Sequence, residues 1–182
     1  MALGATIHRI EIGLSDVDRN VYESFDLRVA RHPSESARYM LTRVLAYALS
    51  YEEGIAFSKG GLSSTDEAPL AVHDPTGLLL SWIDVGSPSA ERLHRASKAA
   101  PRVEVYTYAN IAQLRKEASS RAIHRVDTID VWCLSGTWLD TLEPWIGRHA
   151  KMDLTRSDGR IYLSVDGKQF ETDIVKTGLA EP

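Results

Sequence analysis

The run Leu78-Leu79-Leu80-Ser81-Trp82-Ile83-Asp84-Val85 is apolar on both of its alternating faces. A strand of that kind must be covered on both sides, which places it centrally in a sheet. The next two segments of the chain fix its connection. Ser87-Pro88 supplies a cap and a first-turn proline, Leu93, Ala96 and Ala100 form the apolar stripe of a short helix, and Arg102 to Tyr108 returns as a strand. Strand, helix and strand with short joints make a βαβ unit, so the strands at 78–85 and 103–108 are expected to lie parallel.

The flanking sequence adds antiparallel pieces. Ile10, Ile12 and Leu14 alternate with polar neighbours, Ser15 to Asn20 reads as a turn, and Val21, Glu23, Phe25, Leu27 and Val29 share one face of a second strand. His32-Pro33-Ser34-Glu35 opens a helix whose stripe, Ala37, Met40, Leu41, Val44, Leu45, Ala48 and Leu49, runs to about Tyr51. A polar, Gly-rich loop covers Lys59 to Glu67, followed by a short strand at Leu70–Val72 and a turn at Asp74–Gly77. Helices are expected near Ile111–Ser119 and Thr137–Ile146, with a strand near Val126–Leu134 between them. The tail from Met152 to Ile174 reads as strands broken by hairpin turns at Ser157–Arg160 and Asp166–Lys168. No repeat, low-complexity stretch or linker interrupts the 182 residues, so one α+β domain over 1–182 is expected.

Composition narrows the chemistry. Cys133 is the single cysteine, which excludes a disulfide framework and a thiolate cluster; a buried thiol in a reducing compartment is the expectation. The six histidines are scattered, with no pair at the spacing that puts two on one helical face, so a histidine-based zinc site is not expected. Asp, Arg or Glu interrupts every apolar run short of membrane-spanning length, and the N-terminus lacks a charged segment followed by an apolar one. A cytoplasmic protein with no membrane partner is expected. A net charge of −4 argues against a chain whose main task is coating nucleic acid. The charge is uneven, however: Glu91 to Arg125 carries eight Arg and Lys against three Glu. Such a segment is either a basic rim beside a site or simply solvated helix surface.

Asp84 is the most informative position. It shares a strand face with Leu80 and Trp82, and a buried carboxylate is costly unless it meets a base, accepts backbone hydrogen bonds or holds a cation. Two roles are open: a structural ion pair with Arg92 or Arg95 on the next helix, or a site at the end of a central strand. Folding the hairpin at Asp74–Gly77 carries Asp66-Glu67 back alongside the end of the 78–85 strand. Two converging carboxylates require a divalent cation or a shared proton between them. On the following helix Arg92 lies nearest the apolar edge, while Glu91, Arg95 and Lys98 share a solvent-leaning face.

Ala30-Arg31-His32-Pro33-Ser34-Glu35, the Asp66-Glu67 loop, Trp82-Ile83-Asp84-Val85-Gly86-Ser87-Pro88 and the helix with Arg92, Arg95 and Ala96 together resemble the YaeQ family over nearly the whole chain. That resemblance implies a variant of the PD-(D/E)XK nuclease core: a restriction-endonuclease-like mixed β-sheet with flanking helices, here with N-terminal and C-terminal β-hairpins. In that superfamily two acids hold a divalent metal and a Lys stabilises the attacking water. Carried over, Asp66 and Asp84 take the acidic roles, with Mg or Mn as cofactor, and Glu35 resembles a third, helix-borne carboxylate. Gly86 stands where the usual Lys would be, so the cation would come from Arg92, Arg95 or Lys98. Of these only Lys98 can carry a proton. Ala68-Pro69 also departs from the family pattern, in which Pro more often follows Asp-Glu directly.

Three functions compete at this level. The first is a metal-dependent nuclease, hydrolysing phosphodiesters with Mg or Mn held by Asp66 and Asp84 and a phosphate clamped by Arg92, Arg95 or Lys98. The second is a catalytically inactive descendant binding nucleic acid through the basic segment 91–125, or a protein partner. The third, an unrelated small-molecule enzyme, ranks last because no phosphate loop or activated nucleophile is present.

Overall fold

A computed structural model describes residues 4–59 and 66–180. In chain order the elements are β1 (Thr6–Asp16), β2 (Val21–Arg31), α1 (Ala37–Leu49), β3 (Ile55–Phe57), β4 (Leu70–His73), β5 (Leu79–Val85), α2 (Ala90–Ala99), β6 (Arg102–Thr107), α3 (Ile111–Ala118), β7 (Ile129–Cys133), α4 (Gly136–Leu142), β8 (His149–Ser157), β9 (Arg160–Val165), β10 (Lys168–Asp173) and β11 (Val175–Gly178). Two mixed sheets and four α-helices among the described residues make this an α+β fold. The chain clusters into two compact units, Met1–Val44 with Leu134–Val175, and Leu45–Cys133 with Lys176–Pro182. No linker marks the divisions, which fall within a helix, at the end of a strand and within another strand.

The first unit holds a five-stranded sheet in the order β10-β9-β8-β1-β2. Its hairpins are the expected ones. Asp158-Gly159 and Asp166-Gly167 have positive φ at both central positions, the backbone that joins twisted antiparallel strands in two residues. The sequence does not announce that β1 and β8 pair in parallel, with Ile10, Ile12 and Leu14 beside Ala150, Met152 and Leu154. The N-terminal and C-terminal hairpins are therefore one sheet rather than two appendages. Both strands bury the same alternate set of side chains, and this shared need for cover draws them together across more than a hundred residues. The first unit's part of α1 begins at Ala37, not at Pro33. Residues His32 to Glu35 close a turn instead, with the Glu35 N–H donating to the His32 carbonyl at 2.9 Å.

The second unit holds a six-stranded sheet in the order β11-β7-β6-β5-β4-β3. β5, β6 and β7 are parallel, joined through α2 and α3, as the βαβ pattern requires. Trp82, Val103, Val105, Ile129 and Val131 line one core with Leu93, Ala96 and Ala100 of the α2 segment and Leu114 and Ala118 of α3. Burying these side chains is the main stabilising term, at about 25 cal/mol per Å² of apolar surface. Ser89 starts α2 by accepting from the Arg92 N–H at 3.2 Å, and Asn110 starts α3 by accepting from Ala112 at 2.8 Å. β7 is shorter than its apolar run because Val126–Thr128 winds into a 3-10 turn. β3 escapes a sequence reading because three residues carry no periodicity. Gly54 precedes it with φ +92°, and a Cβ there would sit 2.0 Å from the His73 carbonyl oxygen, so only glycine fits.

Candidate functional site

Asp84 lies near the end of β5, flanked by β4 and β6, and is 2% exposed. The chain leaves the strand at Gly86, whose φ of +84° turns it toward the Ser89 cap. One turn into α2, Arg92 reaches back to the strand. Its Nε lies 2.9 Å and 2.8 Å from the two Asp84 carboxylate oxygens, and the Trp82 indole N–H donates to Oδ2 at 2.9 Å. The guanidinium carbon stands 5.5 Å from the Trp82 ring centroid, so the same arginine also rests on the aromatic ring. Burial pushes the Asp84 carboxyl above its ordinary value, while the Arg92 charge and hydrogen bonds from Trp82, Arg92 and the Val85 backbone N–H oppose that rise.

The Asp66-Glu67 segment does return to this corner, as the β4–β5 hairpin implies. It arrives by way of arginines. Arg92 Nη2 donates to the Glu67 carbonyl at 2.9 Å, and Arg95 Nη1 pairs with the Asp66 carboxylate. The Asp66 side chain is 82% exposed, and Arg95 also lies 3.7 Å from Glu91. Each acid thus meets its own arginine on α2. Lys98 sits exposed in the last turn of that helix. Glu35 belongs to the first unit, whereas Asp66 and Asp84 belong to the second. It is buried, with Oε1 held by Arg43 at 2.6 Å and 2.8 Å and Oε2 accepting from the His32 N–H at 3.1 Å.

This donor set does not fit a divalent cation as arranged. Mg or Mn needs several free oxygen ligands at short range, yet both Asp84 oxygens are already engaged by donors. Among the described residues no group of three or more His, Cys, Asp or Glu is placed to hold a metal. The residues between Lys59 and Asp66 in the Gly-rich loop lie outside the described residues.

A family model described as YaeQ protein matches residues 1–174. The chain belongs to the YaeQ family. It is 30% identical over 175 residues to "Uncharacterized protein YaeQ" of Escherichia coli K12, covering 96% of both chains. It is 32% identical over 166 residues to the protein of that name from Salmonella typhi, covering 90% of this chain and 91% of that one. The crystal structure of YaeQ protein from Pseudomonas syringae matches with a TM-score of 0.85 at 32% identity, covering 96% of this chain and 97% of that one. The YaeQ protein from Xanthomonas axonopodis pv. citri matches with a TM-score of 0.86 at 29% identity, covering 96% and 98%. The mixed α+β architecture is therefore that of the YaeQ structures. No described helix is long and apolar enough to cross a membrane.

In this YaeQ chain most of the basic segment 91–125 is taken up internally. Arg92 and Arg95 hold the acids, Arg102 pairs with Glu52, and Arg115 donates to the Thr177 hydroxyl at 2.8 Å. Arg125 closes the end of α2 by donating to the Ser97 and Ala100 carbonyls at 2.6 Å and 2.9 Å. Beside the Asp84 knot opens a cleft of about 540 Å³, lined by Phe57, Ala71, Leu79 and Trp82 and by the charged or polar Lys59, Asp66, Glu67 and His73. The sequence offered one signal for the indole's role, the two-residue spacing that puts Trp82 and Asp84 on one strand face. It offered none for the Glu35–Arg43 pair, which depends on a turn ahead of the helix.

Proposed function

We propose that this chain is a non-cleaving variant of a nuclease-like core, in which Arg92 stands where a divalent cation would otherwise neutralise the strand acid. It works as a binding module for a protein partner, taken up at the cleft beside Trp82. The observation that carries this reading is the 2.8–2.9 Å contact of Arg92 with both oxygens of buried Asp84. A guanidinium is a permanent cation with no acceptor atoms, so it satisfies a buried carboxylate without water or metal. With Gly86 at the usual Lys position, no base there serves to activate a water. A polypeptide is favoured over nucleic acid because five of the eight bases in 91–125 already hold internal partners, and the cleft is lined largely by apolar side chains, Phe57, Ala71, Leu79 and Trp82 among them. The test is incubation of purified protein with single-stranded, duplex and branched DNA and with RNA, in Mg²⁺ and in Mn²⁺. Intact substrates are expected. Cleavage that disappears in Asp84→Ala would reinstate the metal-dependent nuclease, with Asp66 and Asp84 as its ligands.

A further inference from the structure

β2 is an edge strand of eleven residues, with a neighbour on one side only among the described residues. Its open side can be identified from the ladder. The Arg9 N–H donates to the Arg148 carbonyl at 2.7 Å, so the peptide groups of Arg9 face β8, and those of Arg28, its partner across β1 and β2, point away from β1. Asp26 and Ala30 share that outward phase, and the Ala30 carbonyl is met by the Arg43 guanidinium at 2.9 Å.

We infer that β2 pairs with β2 of a second copy of this chain, antiparallel, on a two-fold axis through Leu27. In that register Asp26 faces Arg28 of the second copy, Glu23 faces Arg31, Phe25 faces Val29, Ser24 faces Ala30 and Leu27 faces itself. Charges meet opposite charges, and apolar side chains on the buried face meet apolar ones. Asp26 with Arg28 and Ser24 with Ala30, whose peptide groups point outward, form the hydrogen-bonded pairs, the Ala30 carbonyl using its second lone pair beside Arg43. Asp26 already accepts from Arg9 at 2.9 Å and 2.7 Å, and a carboxylate has room for a second guanidinium.

The neighbouring registers fail. Centring on Asp26 or Arg28 sets like charges directly opposite one another. Centring on Phe25 or Val29 sets Leu27 against Glu23 or Arg31. The strand is thus self-complementary in one arrangement, the isologous contact of a closed dimer rather than an open edge prone to fibres.

Sedimentation velocity of the full chain over a micromolar to sub-millimolar series tests this. Concentration-dependent dimerisation is expected, with protection of the Asp26 and Arg28 amides from hydrogen exchange rising alongside it. Arg28→Asp and Asp26→Arg should each weaken association by at least about tenfold, the size of a like-charge penalty of about 1.4 kcal/mol. The double variant D26R/R28D exchanges the signs and should restore association, which a merely misfolded variant would not. A wild-type chain that stays monomeric throughout overturns the inference. So does association that survives the single substitutions, or that the double variant fails to recover.

Discussion

Replacing Arg92 with Met removes the charge facing Asp84 while keeping much of the stem that covers Trp82. The carboxylate is then left with the Trp82 N–H, at 2.9 Å, and the Val85 backbone N–H, with no opposing charge, in a position 2% exposed. Breaking a buried ion pair from one side costs about 3–5 kcal/mol. Because 21% of the Arg92 side chain is still exposed, the lower end applies, about 3 kcal/mol. For a chain of this length that corresponds to a fall in Tm of about 6–12 °C. The loss depends on pH with a definite sign. Burial holds the Asp84 carboxyl above its ordinary value, and without Arg92 it is held higher still. Between the ordinary aspartate value of 3.8 and the raised one, the folded state keeps a proton that the unfolded chain has released. Stability of Arg92→Met therefore falls as pH rises through that window, and the deficit against wild type shrinks on acidification. Adding Asp84→Asn should recover part of the loss at neutral pH, because a neutral amide still accepts from Trp82. Urea unfolding followed by circular dichroism measures wild type and both variants. A neutral-pH change under about 0.5 kcal/mol, or a deficit indifferent to pH, would refute the argument.

Other outcomes rest on neighbouring contacts. Arg95→Ala removes an exposed pair and should cost under about 1 kcal/mol in urea unfolding, far less than Arg92→Met. Gly54→Ala should lower stability by about 2 kcal/mol or more, since the added Cβ meets the His73 carbonyl at 2.0 Å in a left-handed backbone; a neutral result would contradict the packing there. Tyr106→Phe loses the hydroxyl contact with Ser50 at 2.8 Å and should cost about 1 kcal/mol, read from the urea midpoint. Asp18 is held below its ordinary value by the Gly159 and Asp158 N–H groups, so its contribution is present above the unfolded value of 3.8 and lost as pH falls through the folded one. Thermal melts of wild type and Asp18→Asn should therefore converge in acid; parallel curves would count against those bonds.

How much of the fold and the site is legible in the sequence depends on how local each signal is. The central strand with Asp84, the βαβ connection, the stripe of α2 and the turns at Asp158-Gly159 and Asp166-Gly167 are written within a few residues each, as periodicity or turn chemistry. The parallel pairing of β1 with β8 is not, because alternation in a strand names a buried face without naming a neighbour. Asp84 is legible as a carboxylate needing a partner, with an arginine pair and a cation both open. Choosing between them requires the direction of the Arg92 side chain, which depends on the Gly86 turn and the Ser89 cap together. The hairpin brings Asp66 to the right corner, but its exposure and its pairing with Arg95 come from a loop whose path carries no periodic pattern. His32-Pro33 reads as a helix start that would carry Glu35, and the turn that forms there instead gives Glu35 to Arg43.

Whether an arginine holds the position of the metal is decided by calorimetric titration of the wild-type protein with Mn²⁺. No saturable heat is expected into the millimolar range. A stoichiometric binding isotherm that is lost in Asp84→Ala and in Asp66→Ala would contradict that assignment of Arg92.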